Sequence, residues 1–142
     1  MSVIVSESNG LSREIRTRVK VSPSLRAKGA AATFARGMAM WDTGATNSVI
    51  GVDIARKLGL VPIGMTTALT ANGPYDTPIY AVDLSLPNNV VVKNVIVSES
   101  DLQVCDALIG MDIITLGDML LTNAPNTRFE FRLPSKGAPP LE

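Results

Sequence analysis

The chain has 142 residues, 46% hydrophobic and 18% charged, which suits one folded domain with a proper core and excludes a disordered chain. Thirteen basic and thirteen acidic residues cancel, so no net basic surface points to a nucleic-acid partner. Histidine is absent, which removes His-based metal sites, the Ser-His-Asp triad and the Cys-His dyad together.

Residues 1–12 are read as a flexible N-terminus. They show no basic run ahead of a long apolar stretch, and no apolar run reaches the roughly 18 residues that cross a bilayer, so neither a signal peptide nor a membrane partner is expected. Residues 14–21 alternate Ile15, Arg16, Thr17, Arg18, Val19, Lys20 and Val21, which predicts a half-buried strand. The local excess of arginine and lysine is read as a solvated strand edge. Residues 22–29 read as a loop, and residues 30–41 as one strand or two short ones leading into Asp42. Residues 47–50 form a short buried strand. Residues 52–60 follow as a short helix, with Asp53 in the first turn and Gly59 at its end.

Residues 66–71 and 77–82 flank Asn72-Gly73-Pro74 and predict a hairpin. Strands at 82–86 and 90–97 surround Pro87-Asn88-Asn89. Residues 107–109 are a short buried strand ending at Gly110, and residues 112–117 a second short helix. Strands at 118–122 and 127–133 are joined by Asn123-Ala124-Pro125-Asn126. The domain is placed at residues 13–134, with a flexible C-terminal tail at 135–142. Many short strands with regular turns imply an all-β barrel or sandwich with two small helices. The one cysteine, Cys105, cannot form an internal disulfide and is read as a small buried hydrophobe; a cysteine-poor chain fits a reducing, cytoplasmic setting.

The stretch Met40-Trp41-Asp42-Thr43-Gly44-Ala45-Thr46 carries the chemistry. An apolar run ends in a carboxylate at the start of a glycine turn. Two carboxylates a few ångströms apart share one proton, so one acts as base toward a water and the other as acid toward the carbonyl and leaving amine. Asp-Thr-Gly occurs only once in the chain, which supplies half of such a pair. The tripeptide is short and common, and taken alone it reads as a plain turn between two strands.

Its surroundings give more. The apolar lead-in, Ala45 after Gly44, Ser48-Val49-Ile50, a helix ending at Gly59-Leu60, a hairpin and then Leu108-Ile109-Gly110 resemble, in that order, the retropepsin-like aspartic proteases. The resemblance covers roughly residues 14–134. Gly110-Met111-Asp112 is similar to the cellular and bacterial members of that family. The resemblance implies a closed all-β retropepsin-like (acid protease) barrel with two short helices and one lobe per chain. It implies an aspartic endopeptidase acting as a homodimer on protein or peptide substrates, with no metal and no cofactor. Asp42 is then catalytic, and Thr43, Gly44, Ile109 and Gly110 support its loop. Ala45 and a hairpin flap at Thr70, Ala71, Asn72 and Gly73 bind substrate, although an ordinary surface hairpin fits the same position. Residues 127–131, with Phe129 and Phe131 on one face, are the expected dimer strand. Retroviral members carry arginine where Met111 stands, and many have aspartate in place of Thr46. These departures keep open a catalytically silent dimerisation or peptide-binding module on the same fold. Asp112 is read as a first-turn helix acid.

Overall fold

A computed structural model describes residues 1–24, 33–138 and 140. Strands β1 (Ser2–Glu7), β2 (Arg16–Pro23), β3 (Ala35–Trp41) and β4 (Val49–Gly51) precede helix α1 (Val52–Leu58). Strands β5 (Gly64–Thr70), β6 (Gly73–Leu86), β7 (Val90–Ser100) and β8 (Ala107–Ile109) lead to helix α2 (Met111–Ile114). Strands β9 (Asp118–Thr122) and β10 (Arg128–Leu133) follow. The larger sheet runs β2-β3-β8-β4-β7-β6-β5, and β2 also pairs with β6 through Lys20↔Ser85 to Pro23↔Val82. That pairing closes six strands into a barrel and leaves β5 outside the ring. Closure removes the exposed edges that an open sheet presents.

Alternation decides which way each strand faces. On β2, Thr17, Val19 and Val21 are buried, while Arg18 between them is exposed. Val82, Leu84, Val97, Ile50 and Ile109 complete the barrel interior, each at most 1% exposed. Between Val82 and Leu84 the register with β7 shifts, because β7 carries an extra residue there. Asn94 takes that strain at φ 58, and its N–H donates to the Asp83 carboxylate at 2.8 Å. Helix α1 ends where Gly59 enters the left-handed region at φ 58, with its N–H bonded to the Arg56 carbonyl and the Leu60 N–H to that of Ala55.

The second sheet, β1-β10-β9, lies over Trp41. The centroids of Phe129 and Phe131 stand 4.8 and 4.9 Å from that of the indole, and Ile4 is buried with them. Trp41 Nε1–H donates to Thr17 Oγ1 at 3.0 Å, so its one polar atom is satisfied inside the core.

Four expectations change. Residues 2–7 are not a frayed end: β1 pairs with β10 from Ser2↔Leu133 to Glu7↔Arg128. The start of the tail is tethered, since Asp118 accepts hydrogen bonds from the Ser135 hydroxyl and from the N–H groups of Lys136 and Gly137. Residues 127–131 offer no free edge for a dimer, because β10 is the middle strand and Phe129 and Phe131 point into the core. The second helix is one turn, shorter than residues 112–117. Most of the loop expected at 22–29 and the start of the strand expected at 30–41 fall outside the described residues.

Candidate active site

Strand β3 delivers Asp42. It runs parallel to β8, with Met40↔Leu108 and Trp41↔Ile109 in register, and the Asp42 N–H donates to the Ile109 carbonyl at 2.9 Å. The chain then loops over residues 42–48 and returns as β4, which pairs with the other side of β8 through Val49↔Leu108. Residues 107–109 are thus threaded between the two arms of the Asp42 loop.

The loop is tightened from within. Gly44 N–H donates to Asp42 Oδ1 at 2.8 Å, and Ala45 N–H to the Asp42 carbonyl at 3.2 Å. An aspartate side chain that caps its own turn in this way is held in one rotamer. Among the described residues, no donor reaches Asp42 Oδ2. Thr43 and Gly44 are exposed, and Asp42 and Ala45 are half-buried.

The loop is also clamped from below. Gly110 N–H donates to Ser48 Oγ at 3.0 Å, and Ser48 Oγ donates to Asp112 Oδ1 at 2.7 Å. The N–H groups of Ser48 and Ile113 donate to the same carboxylate at 3.0 and 2.9 Å. Met111 N–H reaches the Ala45 carbonyl at 2.8 Å, and Asp112 N–H the Thr46 carbonyl at 3.2 Å. Gly110 sits so close that a Cβ there would lie 2.8 Å from the Ala45 carbonyl oxygen and 2.7 Å from the Asn47 carbonyl carbon. Only glycine fits that approach.

A cavity of about 430 Å³ opens beside Asp42 and Thr43. Met40 and Trp41 line it from the lead-in strand, Met119 and Leu121 from β9, and Arg13 and Glu14 from the segment before β2. Cys105 is half-buried, and burial pushes its thiol above the usual range against the opposing pull of Arg16. A thiol shifted that way is a poor nucleophile.

Of the residues singled out by sequence, Asp42, Thr43, Gly44, Ala45, Ile109 and Gly110 are therefore brought together. Thr70, Ala71, Asn72 and Gly73 form the turn of the β5–β6 hairpin, whose pairing runs from Gly64↔Ile79 to Thr70↔Gly73. Sequence reasoning missed Ser48 and underrated Asp112. The available signal was a serine placed between the loop and a buried strand, with an acid two residues after Gly110. It also missed Met119 and Leu121, whose place beside Asp42 depends on the second sheet.

A family model described as aspartyl protease matches residues 24–113, a span that holds both the Asp42 loop and the β8–Gly110 segment beneath it. The chain belongs to the aspartyl protease family. A retropepsin-like aspartic protease from Rickettsia conorii is similar in structure over 92% of this chain and 94% of its own, at 18% identity and a TM-score of 0.56. That likeness shows the single-lobe retropepsin-like fold for this aspartyl protease family member. The retroviral protease-like domain of Ddi1 from Leishmania major is similar over 86% of this chain and 97% of its own, at 15% identity and a TM-score of 0.45. Among curated proteins, none matches the chain by sequence.

Proposed function

We propose that the protein is an aspartic endopeptidase that works as a homodimer, with one Asp42 from each chain. The observation that carries this is a single Asp-Thr-Gly carboxylate, held in one rotamer by Gly44 N–H, clamped from below through Gly110, and open to a cavity on its free side. One carboxylate cannot serve as base and acid in the same step, so a second copy is needed to complete the pair.

In the complete site the two Asp42 carboxylates share one proton, because like charges at that distance cannot both ionise. The ionised carboxylate takes a proton from a water as its oxygen bonds to the peptide carbonyl carbon. The protonated partner donates to the carbonyl oxygen. In the second step a proton passes to the amide nitrogen as the C–N bond breaks, leaving a carboxylic acid and an amine. Thr43, exposed at the loop's tip, meets its counterpart across the pair. Ala45 and the hairpin tip at Thr70, Ala71, Asn72 and Gly73 line the cleft, where an extended peptide binds by strand addition. No residue role in this scheme requires a metal or cofactor.

The test is cleavage of an unstructured protein by wild type and Asp42→Asn, measured from acidic to neutral pH and over a dilution series. Loss of a general acid–base group lowers the rate by about two to four orders of magnitude, with folding retained. The wild-type rate is expected to rise faster than linearly with concentration near the dimer dissociation constant. Equal cleavage by Asp42→Asn refutes the assignment. A dimer that cleaves nothing at any pH favours the silent peptide-binding module instead, the reading kept open by Thr46 and Met111.

A further inference from the structure

Charge on an unpaired strand keeps its edge from pairing, but that role does not account for Lys20, because β2 is paired there on both sides. Its neighbours are Arg36 on β3 and Ser85 on β6. Arg18, Lys20 and Arg36 project from the outer wall of the barrel, since Val19, Val21 and Ala35 beside them face the core. The ion pairs of the described residues engage Arg16, Arg128 and Arg132, and none of these three. The acids on or beside these strands are already occupied. Asp83 accepts the Asn94 N–H at 2.8 Å, Asp106 accepts the Met38 N–H at 2.8 Å, and Glu14 is paired with Arg16.

Two of the cations also converge. Lys20 Nζ stands 5.0 Å and Arg36 Cζ 5.1 Å from the centroid of the Phe34 ring, within cation–π range. Phe34 is 47% exposed, so its ring gathers two like charges at the surface. Beside them lies a cavity of about 290 Å³, walled by Arg18, Lys20 and Arg36 and by Ser85, Leu86 and Pro87 from β6 and its turn. Like charges gathered with no carboxylate between them repel, and an anion seated there relieves the repulsion.

We infer that this wall is a docking site for an acidic, extended segment of a polypeptide. Arg18 and Lys20 stand two positions apart on β2 with Arg36 opposite Lys20, a footprint that matches a short run of carboxylates. A nucleic acid spreads its phosphates over a longer track and calls for a basic surface, whereas this chain has net charge zero. With both neighbours of Lys20 in place, the contact is made by side chains and not by strand addition. Arg36 precedes Asp42 by six positions along β3, about 20 Å at the rise of a strand. A group bound there does not reach the carboxylate. One consequence rests on the protease reading above: the site holds a substrate by an acidic stretch at least about six residues from the bond that is cut. That raises affinity without altering the chemistry.

Binding is measured on the full chain carrying Asp42→Asn, so that no cleavage intervenes. The readout is fluorescence anisotropy of labelled octaglutamate at low salt, with octaglutamine and an oligothymidylate as comparison probes. Lys20→Gln combined with Arg36→Gln is the test variant. Lys57→Gln, at an exposed lysine on α1, controls for charge lost elsewhere. Octaglutamate is expected to bind, and octaglutamine to bind more weakly. The double variant is expected to weaken octaglutamate at least about fivefold, and added salt to weaken it further, while Lys57→Gln binds like its parent. Circular dichroism checks the fold, and the two single variants, each with a smaller loss, carry the test if the double variant unfolds. No octaglutamate binding, equal binding by the folded double variant, or tighter binding of oligothymidylate overturns the inference. So does self-association in sedimentation that the double variant abolishes, which makes the occupant a second copy. For cleavage, one peptide is compared with and without an acidic tail, using wild-type Asp42. The tail is expected to lower KM with kcat unchanged, and the double variant to lose that gain. Octaglutamate binding without any cleavage refutes the protease reading and leaves the docking site; cleavage that ignores the tail, with no octaglutamate binding, does the reverse.

Discussion

Replacing Gly110 with alanine adds one methyl group under the Asp42 loop, and the structure fixes what it meets. The new Cβ would lie 2.8 Å from the Ala45 carbonyl oxygen and 2.7 Å from the Asn47 carbonyl carbon. Ordinary contacts are longer by more than half an ångström, and both obstacles are backbone, so neither can rotate away. Overpacking of this kind costs about 1–3 kcal/mol. The Ala45 carbonyl also accepts the Met111 N–H at 2.8 Å, and moving it puts that hydrogen bond at risk for about 1 kcal/mol more. The expected loss is about 2–4 kcal/mol, or roughly 4–15 °C in the thermal midpoint of a chain this size. Relief by displacement would shift the carboxylate itself, and an error near 1 Å in a catalytic group costs on the order of 100-fold in rate. The assay is thermal unfolding, together with cleavage at a temperature where both proteins are fully folded. Gly64→Ala is the control for stability, because its methyl meets only the Ile79 side chain at an ordinary 3.4 Å. If Gly110→Ala unfolds with Gly64→Ala and cleaves like wild type, the close approach under the loop is not what holds Asp42.

Two further outcomes follow from the hydrogen bonds and the titrating groups. Ser48→Ala leaves the Gly110 N–H without an acceptor and the Asp112 carboxylate with one donor fewer; it is expected to cost about 1–3 kcal/mol in urea unfolding and to lower cleavage, with Asp112→Asn milder than Asp112→Ala because the amide keeps one acceptor oxygen. Tyr80 is pushed from 10.0 up to about 12, first by burial and then by donating its hydroxyl to Glu99. The folded state therefore holds this proton more tightly than the unfolded chain. Its contribution is whole below pH 10 and is lost as pH rises from about 10 to about 12, an alkaline decline that Tyr80→Phe is expected to flatten in urea midpoints taken across that window.

The parts of the fold legible from sequence are those whose cause is local. The alternation Thr17, Val19, Val21 survives as β2, and Gly59 ends α1 because a left-handed cap needs nothing beyond its own backbone. The Asp42 motif was legible because residue type and turn lie together in a few positions. The misses have distant causes. Residues 2–7 look like a loose end until β10, more than a hundred residues later, pairs with them. The tail at 135–137 is anchored by Asp118, which lies 18 and 19 positions before Lys136 and Gly137. The second helix stops after one turn because Gly117 packs its backbone against the Arg132 carbonyl, too close for any side chain, and turns the chain into β9. Phe129 and Phe131 alternate as expected, but alternation cannot say whether the shared face meets a partner or Trp41. Ser48 and Asp112 are ordinary polar residues apart; their pairing exists only after β8 enters between β3 and β4.

That threading also orders events in time. During synthesis Asp42 emerges long before Ile109 and Gly110, so the nascent chain carries its carboxylate on a loop whose supporting strand does not yet exist. Neither β3 nor β4 can take its final neighbour until residues 107–109 arrive, and contacts so far apart in sequence close late. The geometry at Asp42 therefore exists only once residues 107–110 are in place between β3 and β4. A ribosome-bound or truncated product lacking residues 107–114 would carry the Asp-Thr-Gly motif without its scaffold.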